Sequence, residues 1–326
     1  MATIGTSALD VFPLALGGNT FGWTSDEATS HQVLDAFVAG GGDFIDTADG
    51  YSAWAPGHSG GESETVIGSW LKSRGRRDDV VIGTKVSQHP QFRGLSATNV
   101  RAAAEASLRR LQTDHIDLYY AHFDDPEVDL AETVAAFDGL VNTGKVRYVG
   151  LSNYSAERVQ QWVSIAQGSG YAAPVALQPH YNLVSREPFE GQLAPVAAQH
   201  QLGVVPYFSL ASGFLTGKYR TREDLAGSDR ESFTAKYFTD EGLRVVEQLD
   251  RTAQAHGVAL STVALAWLQS KPTVVAPIAS ARNPEQLADL LASATVDLAV
   301  DEVAALDAFS DEVTRTAAER ASESAA

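Results

Sequence analysis

Short runs of apolar and β-branched residues recur along the chain, separated by longer stretches in which apolar positions return every three or four residues. The runs are PLALG (13–17), DFIDT (43–47), VVIGTK (80–85), IDLYYAH (116–122), VRYVGLS (146–152), VALQP (175–179), GVVPY (203–207) and TVVAPI (273–278). They are continuous rather than alternating, which predicts strands buried on both faces. The clearest helical patterns are DEATSHQVLDAFVAGG (26–41), ATNVRAAAEASLRRLQT (97–113), LAETVAAFDGLVNTG (130–144) and SAERVQQWVSIAQG (155–168). Ser25-Asp26-Glu27, Ser96 and Ser155 signal helix starts, and Gly40, Gly144 and Gly168 signal stops.

Eight strand candidates with helices between them, in roughly 300 residues, predict an α/β fold: a (β/α)8 TIM barrel, one domain over residues 1–313. The alternative, a doubly wound open sheet, places a glycine-rich turn between its first strand and first helix. The G-x-G-x-x-A of this chain, beginning at Gly168, follows a helix and precedes a strand, the wrong context for that turn. The stretch 208–238 lacks periodicity and reads as a long functional loop. YSAWAPGHSGGESE (51–64) reads as a flexible substrate loop, and TRTAAERASESAA (314–326) as a disordered tail.

The net charge is 24 − 41 = −17. A nucleic acid or an anionic membrane needs a basic face, so neither is expected as a partner. No apolar stretch has the length of a membrane span, and the N-terminus lacks the basic and apolar regions of a signal peptide, so a cytoplasmic protein is expected. Without cysteine there is no disulfide, thiolate nucleophile or cysteine-ligated metal. His122, Asp124 and Asp125 crowd one loop without a fourth ligand, so no metal is expected.

In FIDTADGY (44–51) an apolar strand runs straight into Asp46. A carboxylate at the edge of a core is costly unless something pairs with it. In a β/α barrel the functional face lies at the C-terminal ends of the strands. Asp46, Lys85 and His122 each end a strand, and Tyr51 lies just beyond Asp46, so Lys85 is the expected partner. A phenol with a pKa of about 10 is a poor acid at neutral pH, and an adjacent ammonium is expected to lower that value. A histidine at the same rim can donate a hydrogen bond to a carbonyl oxygen. Asp46, Tyr51, Lys85 and His122 together suit protonation of an oxygen that is gaining negative charge. Trp23 and Trp54, in loops at the same end, are expected walls of an apolar substrate pocket. A hydrolytic pair of Asp46 and Asp49 fits poorly, since both sit on one loop rather than across a cleft.

These motifs, in this order, resemble the aldo-keto reductase family, in particular its bacterial group related to potassium-channel β subunits. FIDTADGY, GTK and YYAH match the three segments that carry the family's four catalytic residues, and GLSNY (150–154), LQPHYNL (177–183), PYFSLASGFLTGKY (206–219) and APIASARNPEQL (276–287) extend the match over nearly the whole chain. The resemblance implies NADPH-dependent reduction of a small-molecule aldehyde or ketone, with tyrosine as general acid. The alternative is an NADPH-binding redox-sensing regulator with slow turnover, which would keep the same tetrad. By the same resemblance Ser152, Asn153 and Gln178 hold the nicotinamide carboxamide and Tyr207 stacks on its ring. Ser209, Leu210, Ala211 and Ser212, with Lys218, wrap the pyrophosphate. Arg282, Gln286 and Asp289 surround the adenosine end, and Gly18 and Asn19 lie beside the cofactor near the substrate. The chain departs from the family pattern at Ser280 (usually glycine), Leu290 (often asparagine) and Ser209 (commonly proline).

Overall fold

The computed structural model describes residues 1–226 and 231–325. Its central sheet has eight parallel strands: β1 (Ala15–Gly17), β2 (Phe44–Asp46), β3 (Val81–Val86), β4 (Ile116–Ala121), β5 (Val146–Ser152), β6 (Pro174–Gln178), β7 (Gly203–Val204) and β8 (Ile278–Ala279). They lie in the order β7-β6-β5-β4-β3-β2-β1-β8. Val204 at the far edge bridges Val274 just ahead of β8, and the Ile278 amide donates to the Pro206 carbonyl, so the sheet curls back on itself. This is the expected (β/α)8 barrel, formed as a single domain.

Helices α1 (Glu27–Ala39), α2 (Glu62–Arg74), α3 (Ala97–Leu111), α4 (Leu130–Asn142), α5 (Ala156–Ser169) and α6 (Ala194–Gln199) follow the first six strands. After β7 come α7 (Asp240–His256) and α8 (Leu260–Gln269), and after β8 come α9 (Pro284–Leu291) and α10 (Val300–Ala325). Asp26, Ser96 and Ser155 cap α1, α3 and α5 by accepting from the amides of Thr29, Asn99 and Arg158. Helix α5 runs past the expected stop at Gly168 and ends at Gly170, whose φ of 68° closes it in the left-handed region.

Two expectations change. Residues 62–64, assigned to the glycine-rich loop, open α2 instead, and the loop ends at Gly61. The segment from residue 314, expected as a disordered tail, is described as the continuation of α10 through Ala325, and its alanine, glutamate and arginine content favours helix; Ala326 lies outside the described residues. The stretch 208–238 is built of short helical turns, with residues 227–230 outside the described residues.

One apolar cluster fills the space between sheet and helices, and a second fills the barrel, with Phe44, Leu118, Tyr120 and Val205 among its members. Tyr120 fits inside because Gly150 on the next strand has no side chain. A Cβ there would stand 2.4 Å from the Tyr120 ring. At the N-terminal end of the barrel, Ala2–Thr3 pairs with Asp10–Val11, and Ile4, Leu9 and Val11 close the interior from below. The other end carries the polar strand termini.

Candidate active site

Strand pairing sets Asp46 opposite Gly83, Lys85 opposite Tyr120, and Ser152 opposite Gln178. The last polar residue of each strand therefore faces the same mouth. Lys85 is wholly buried. Its ammonium donates to Asp46 Oδ2 (2.6 Å), to the Thr47 carbonyl (2.7 Å) and to the Tyr51 hydroxyl oxygen (3.0 Å). Asp46 is equally buried, and its second oxygen accepts from Gln178 Nε2 at 2.9 Å. Both oxygens of this carboxylate are thus paired, which the sequence alone did not show.

Burial depresses the Lys85 pKa, but Asp46, followed by Tyr51, outweighs it, so the ammonium is held above its ordinary value. Tyr51 corrects an expectation. Burial pushes its pKa up by more than the Lys85 charge pulls it down, so the phenol titrates above its ordinary value and is protonated at neutral pH. The half-buried His122 follows β4. Burial first, then the Lys85 charge, holds its pKa well below the ordinary value, so its imidazole is neutral. Its ring lies 6.3 Å from that of Tyr51.

Asp49 departs from this face. Its amide donates to the Lys85 carbonyl at 3.2 Å, while its carboxylate is buried, with no hydrogen-bond partner for either oxygen among the described residues. The charged groups around it are Glu64 of α2, Arg110 of α3 and Lys85 of β3. Glu64 uses its own oxygens on Arg110 Nε (2.7 Å) and Thr84 Oγ1 (2.5 Å). Of the suggested metal cluster, Asp124 is held by the Arg158 guanidinium at 2.8 Å, and Asp125 Oδ2 accepts from the Leu95 amide.

The residues match the Aldo/keto reductase family over positions 13–311. The chain belongs to the aldo/keto reductase family. It is 34% identical to the aldo-keto reductase YhdN of Bacillus subtilis, over 84% of this chain and 80% of that one. It is 31% identical to the protein tas of Escherichia coli, over 93% and 95% of the two chains. It is 32% identical to a probable voltage-gated potassium channel subunit beta of Oryza sativa, over 88% of each. As an aldo/keto reductase the protein is an oxidoreductase, of a family that generally uses a nicotinamide dinucleotide.

The loops beside the tetrad suit such a dinucleotide. Asn153, at φ 57°, donates to Ser152 Oγ and the His122 carbonyl and accepts from the Tyr207 hydroxyl at 2.7 Å. Ser152 donates to the Gln178 carbonyl. Further along, Ala211, Ser212 and Gly213 all have positive φ, and the amides of Ser209 and Leu210 donate to no protein acceptor among the described residues. The exposed Lys218 folds over Gly213, its Nζ 3.3 Å from where a Cβ on that glycine would stand. Backbone donors beside an ammonium suit an anionic phosphate. The loop after β8 is tied to the loop after β1: Ser280 Oγ donates to Asn19 Oδ1 (2.5 Å), and Ser25 Oγ to the Arg282 carbonyl. The Gln286 side chain accepts from the Arg282 amide, Asp289 is exposed, and Leu290 packs into the core. Gly18 opens the short turn after β1, and a Cβ there would stand 2.9 Å from Ser63 Oγ.

Several neighbours were not singled out by the motifs. His180 stacks on Tyr207 at 5.5 Å and 21°, and Phe208 and Phe233 extend the same ring cluster. Trp54 packs 6.0 Å from Tyr51, with Trp23 against its far side at 5.4 Å.

Proposed function

We propose that the protein is an NADPH-dependent carbonyl reductase in which Tyr51 is the general acid. The observation that carries this reading is the unbroken chain of hydrogen bonds Gln178–Asp46–Lys85–Tyr51, which ends on the phenol. When bound, the nicotinamide supplies a hydride to the carbonyl carbon. Tyr51 gives its proton to the carbonyl oxygen as charge develops there. Lys85 stabilises the phenolate that Tyr51 becomes, and Asp46 keeps Lys85 charged and aimed. His122, neutral, orients the carbonyl by a hydrogen bond.

Ser152, Asn153 and Gln178 take the carboxamide, with Asn153 exchanging its bond to Tyr207 so that Tyr207 is free to stack on the ring. The amides of the 209–212 turn and Lys218 take the pyrophosphate. Arg282, at the start of α9, clasps the ribose 2′-phosphate and so selects NADPH over NADH; Gln286 and Asp289 flank the adenosine, and Gly18 and Asn19 border the reacting end. The substrate is a small-molecule carbonyl compound admitted beside Trp23 and Trp54. The net charge of −17 is consistent with a cytoplasmic protein that binds neither nucleic acid nor membrane.

The test is NADPH oxidation with a panel of aldehydes, ketones and quinones, for the wild type and Tyr51→Phe. The variant is expected to lose about 10²–10⁴-fold in kcat while still binding NADPH. A Tyr51→Phe enzyme with near wild-type turnover would exclude Tyr51 as the acid. Tight NADPH binding without turnover on the whole panel would favour the redox-sensing role.

A further inference from the structure

We propose that Ser280 is a positioning residue for the dinucleotide: its hydroxyl latches the loop after β8 onto the loop after β1 and so sets the base from which Arg282 reaches a 2′-phosphate. The inference rests on the NADPH reading and concerns how that selectivity is built. β8 runs beside β1 with Ile278 opposite Ala15 and Ala279 opposite Leu16, so the next step brings Ser280 beside Gly17. Ile278 belongs to the barrel interior and Ala279 to the layer beneath the helices, and alternation turns Ser280 back to the inner side, at the open mouth.

Three residues are matched there. Ser280 Oγ donates to Asn19 Oδ1 at 2.5 Å, across 261 positions of sequence. Gly17 supplies the space, since a Cβ on it would stand 2.5 Å from Ser280 Oγ and 3.0 Å from Ile278 Cγ2. The chain has serine where the family pattern usually has glycine, and a glycine has no hydroxyl to give Asn19. The next two residues are held as well: Thr20 Oγ1 donates to the Ala281 carbonyl (3.3 Å) and Ser25 Oγ to the Arg282 carbonyl (3.0 Å). From the other side Gln286 Oε1 accepts from the Arg282 amide at 2.9 Å, while the Gln286 amide donates to Asn283, the N-cap of α9. The chain is thus pinned at 280, 281 and 282, and the guanidinium of Arg282 extends from a fixed base.

The loop after β1 is itself anchored to the tetrad. Ser63 Oγ donates to the Gly18 carbonyl (2.7 Å) and shares a hydrogen bond with Thr47 Oγ1 (2.8 Å), and the Thr47 carbonyl accepts from Lys85. A line of hydrogen bonds and short peptide links therefore runs from the buried ammonium to the loop that carries Arg282. A phosphate site whose donor is already in place loses less freedom on binding than one that must be assembled. Without its hydroxyl at 280 the loop keeps the ties from Thr20 and Ser25 but loses the one nearest the strand. The loss then falls on the group that Arg282 meets, the 2′-phosphate, rather than on the adenine or ribose.

The experiment titrates 2′,5′-ADP and 5′-AMP calorimetrically into the wild type, Ser280→Gly, Ser280→Ala, Asn19→Ala and the double variant Ser280→Ala/Asn19→Ala. Both probes carry the adenosine end and neither has a nicotinamide, so Asn19→Ala acts on them only through the latch. Thermal melts confirm that each protein is folded, and hydrogen exchange of segment 279–287 is followed without ligand. Each single variant is expected to bind 2′,5′-ADP about three- to tenfold more weakly, the worth of one net hydrogen bond, and 5′-AMP less than about twofold more weakly. The double variant should lose no more than either single one, and exchange should quicken in all four. Unchanged 2′,5′-ADP binding, equal losses for the two probes, or losses that add in the double variant each overturn the inference and leave the NADPH reading standing. A wild type that binds 2′,5′-ADP no more tightly than 5′-AMP overturns the NADPH reading itself, a result that appears before any substitution is made.

Discussion

Lys85 has no contact with water, yet its charge is favoured, because Asp46 lies 2.6 Å away. Removing one member of a buried pair leaves the other uncompensated, at about 3–5 kcal/mol. Lys85→Met is therefore expected to lower stability by that order and to abolish most turnover. Burial of Tyr51 is then unopposed, so any residual activity should titrate at higher pH than the wild type. Asp46→Asn should be milder, since its amide oxygen still accepts from Lys85. Chemical denaturation together with pH–rate profiles checks both, and a Lys85→Met protein of wild-type stability would overturn the argument. The tetrad was legible because charged residues ending apolar strands are rare and their pairing is dictated by charge. Gln178's hold on Asp46, and the burial that outweighs Lys85 at Tyr51, depend on distances across strands that no single motif records.

Strands buried on both faces leave a strong trace, and seven of the eight lay where continuous apolar runs placed them. The eighth shifted: the run 273–278 supplies only Ile278 to β8, because Val274 and Val275 are engaged by Val204 and Pro277 has no amide to donate. Helix α2 left no start signal, since its N-cap is Gly61, at φ 87°, with no side-chain hydrogen bond. At this scale the contact of Gly150 with Tyr120 is decisive. Gly150→Ala drives a methyl into a ring that has no room to retreat, and overpacking of this kind costs about 1–3 kcal/mol. A lower melting temperature and reduced activity are expected together, because Tyr120 underlies Lys85, whose Nζ is 5.9 Å from its ring. An unchanged melting temperature would show that the barrel interior is looser than this packing.

For the molecule as a whole, Asp49 sets a dependence of stability on pH. Burial, then the neighbouring Glu64, raises its pKa well above the ordinary carboxylate value, while Arg110, already bound to Glu64, offsets this only in part. An acid whose folded pKa lies above its unfolded value of about 3.9 contributes stability that is complete below that value. The contribution is lost as pH rises through the folded pKa. Asp49→Asn removes this loss, so its stability relative to wild type should be lowest near pH 4 and should grow toward neutral and alkaline pH. Melts across that range test it, and a difference independent of pH would overturn it. The closure of the barrel carries a consequence for synthesis. β1 pairs with β8, and Asn19 receives its hydrogen bond from Ser280, 261 positions later. A ribosome adding about 5–20 residues per second leaves the edge of β1 bare for on the order of ten to fifty seconds. During that interval the emerging chain presents an unpaired strand to its surroundings. The pocket closes only when the last strand has left the exit tunnel, so no shorter nascent chain holds it complete.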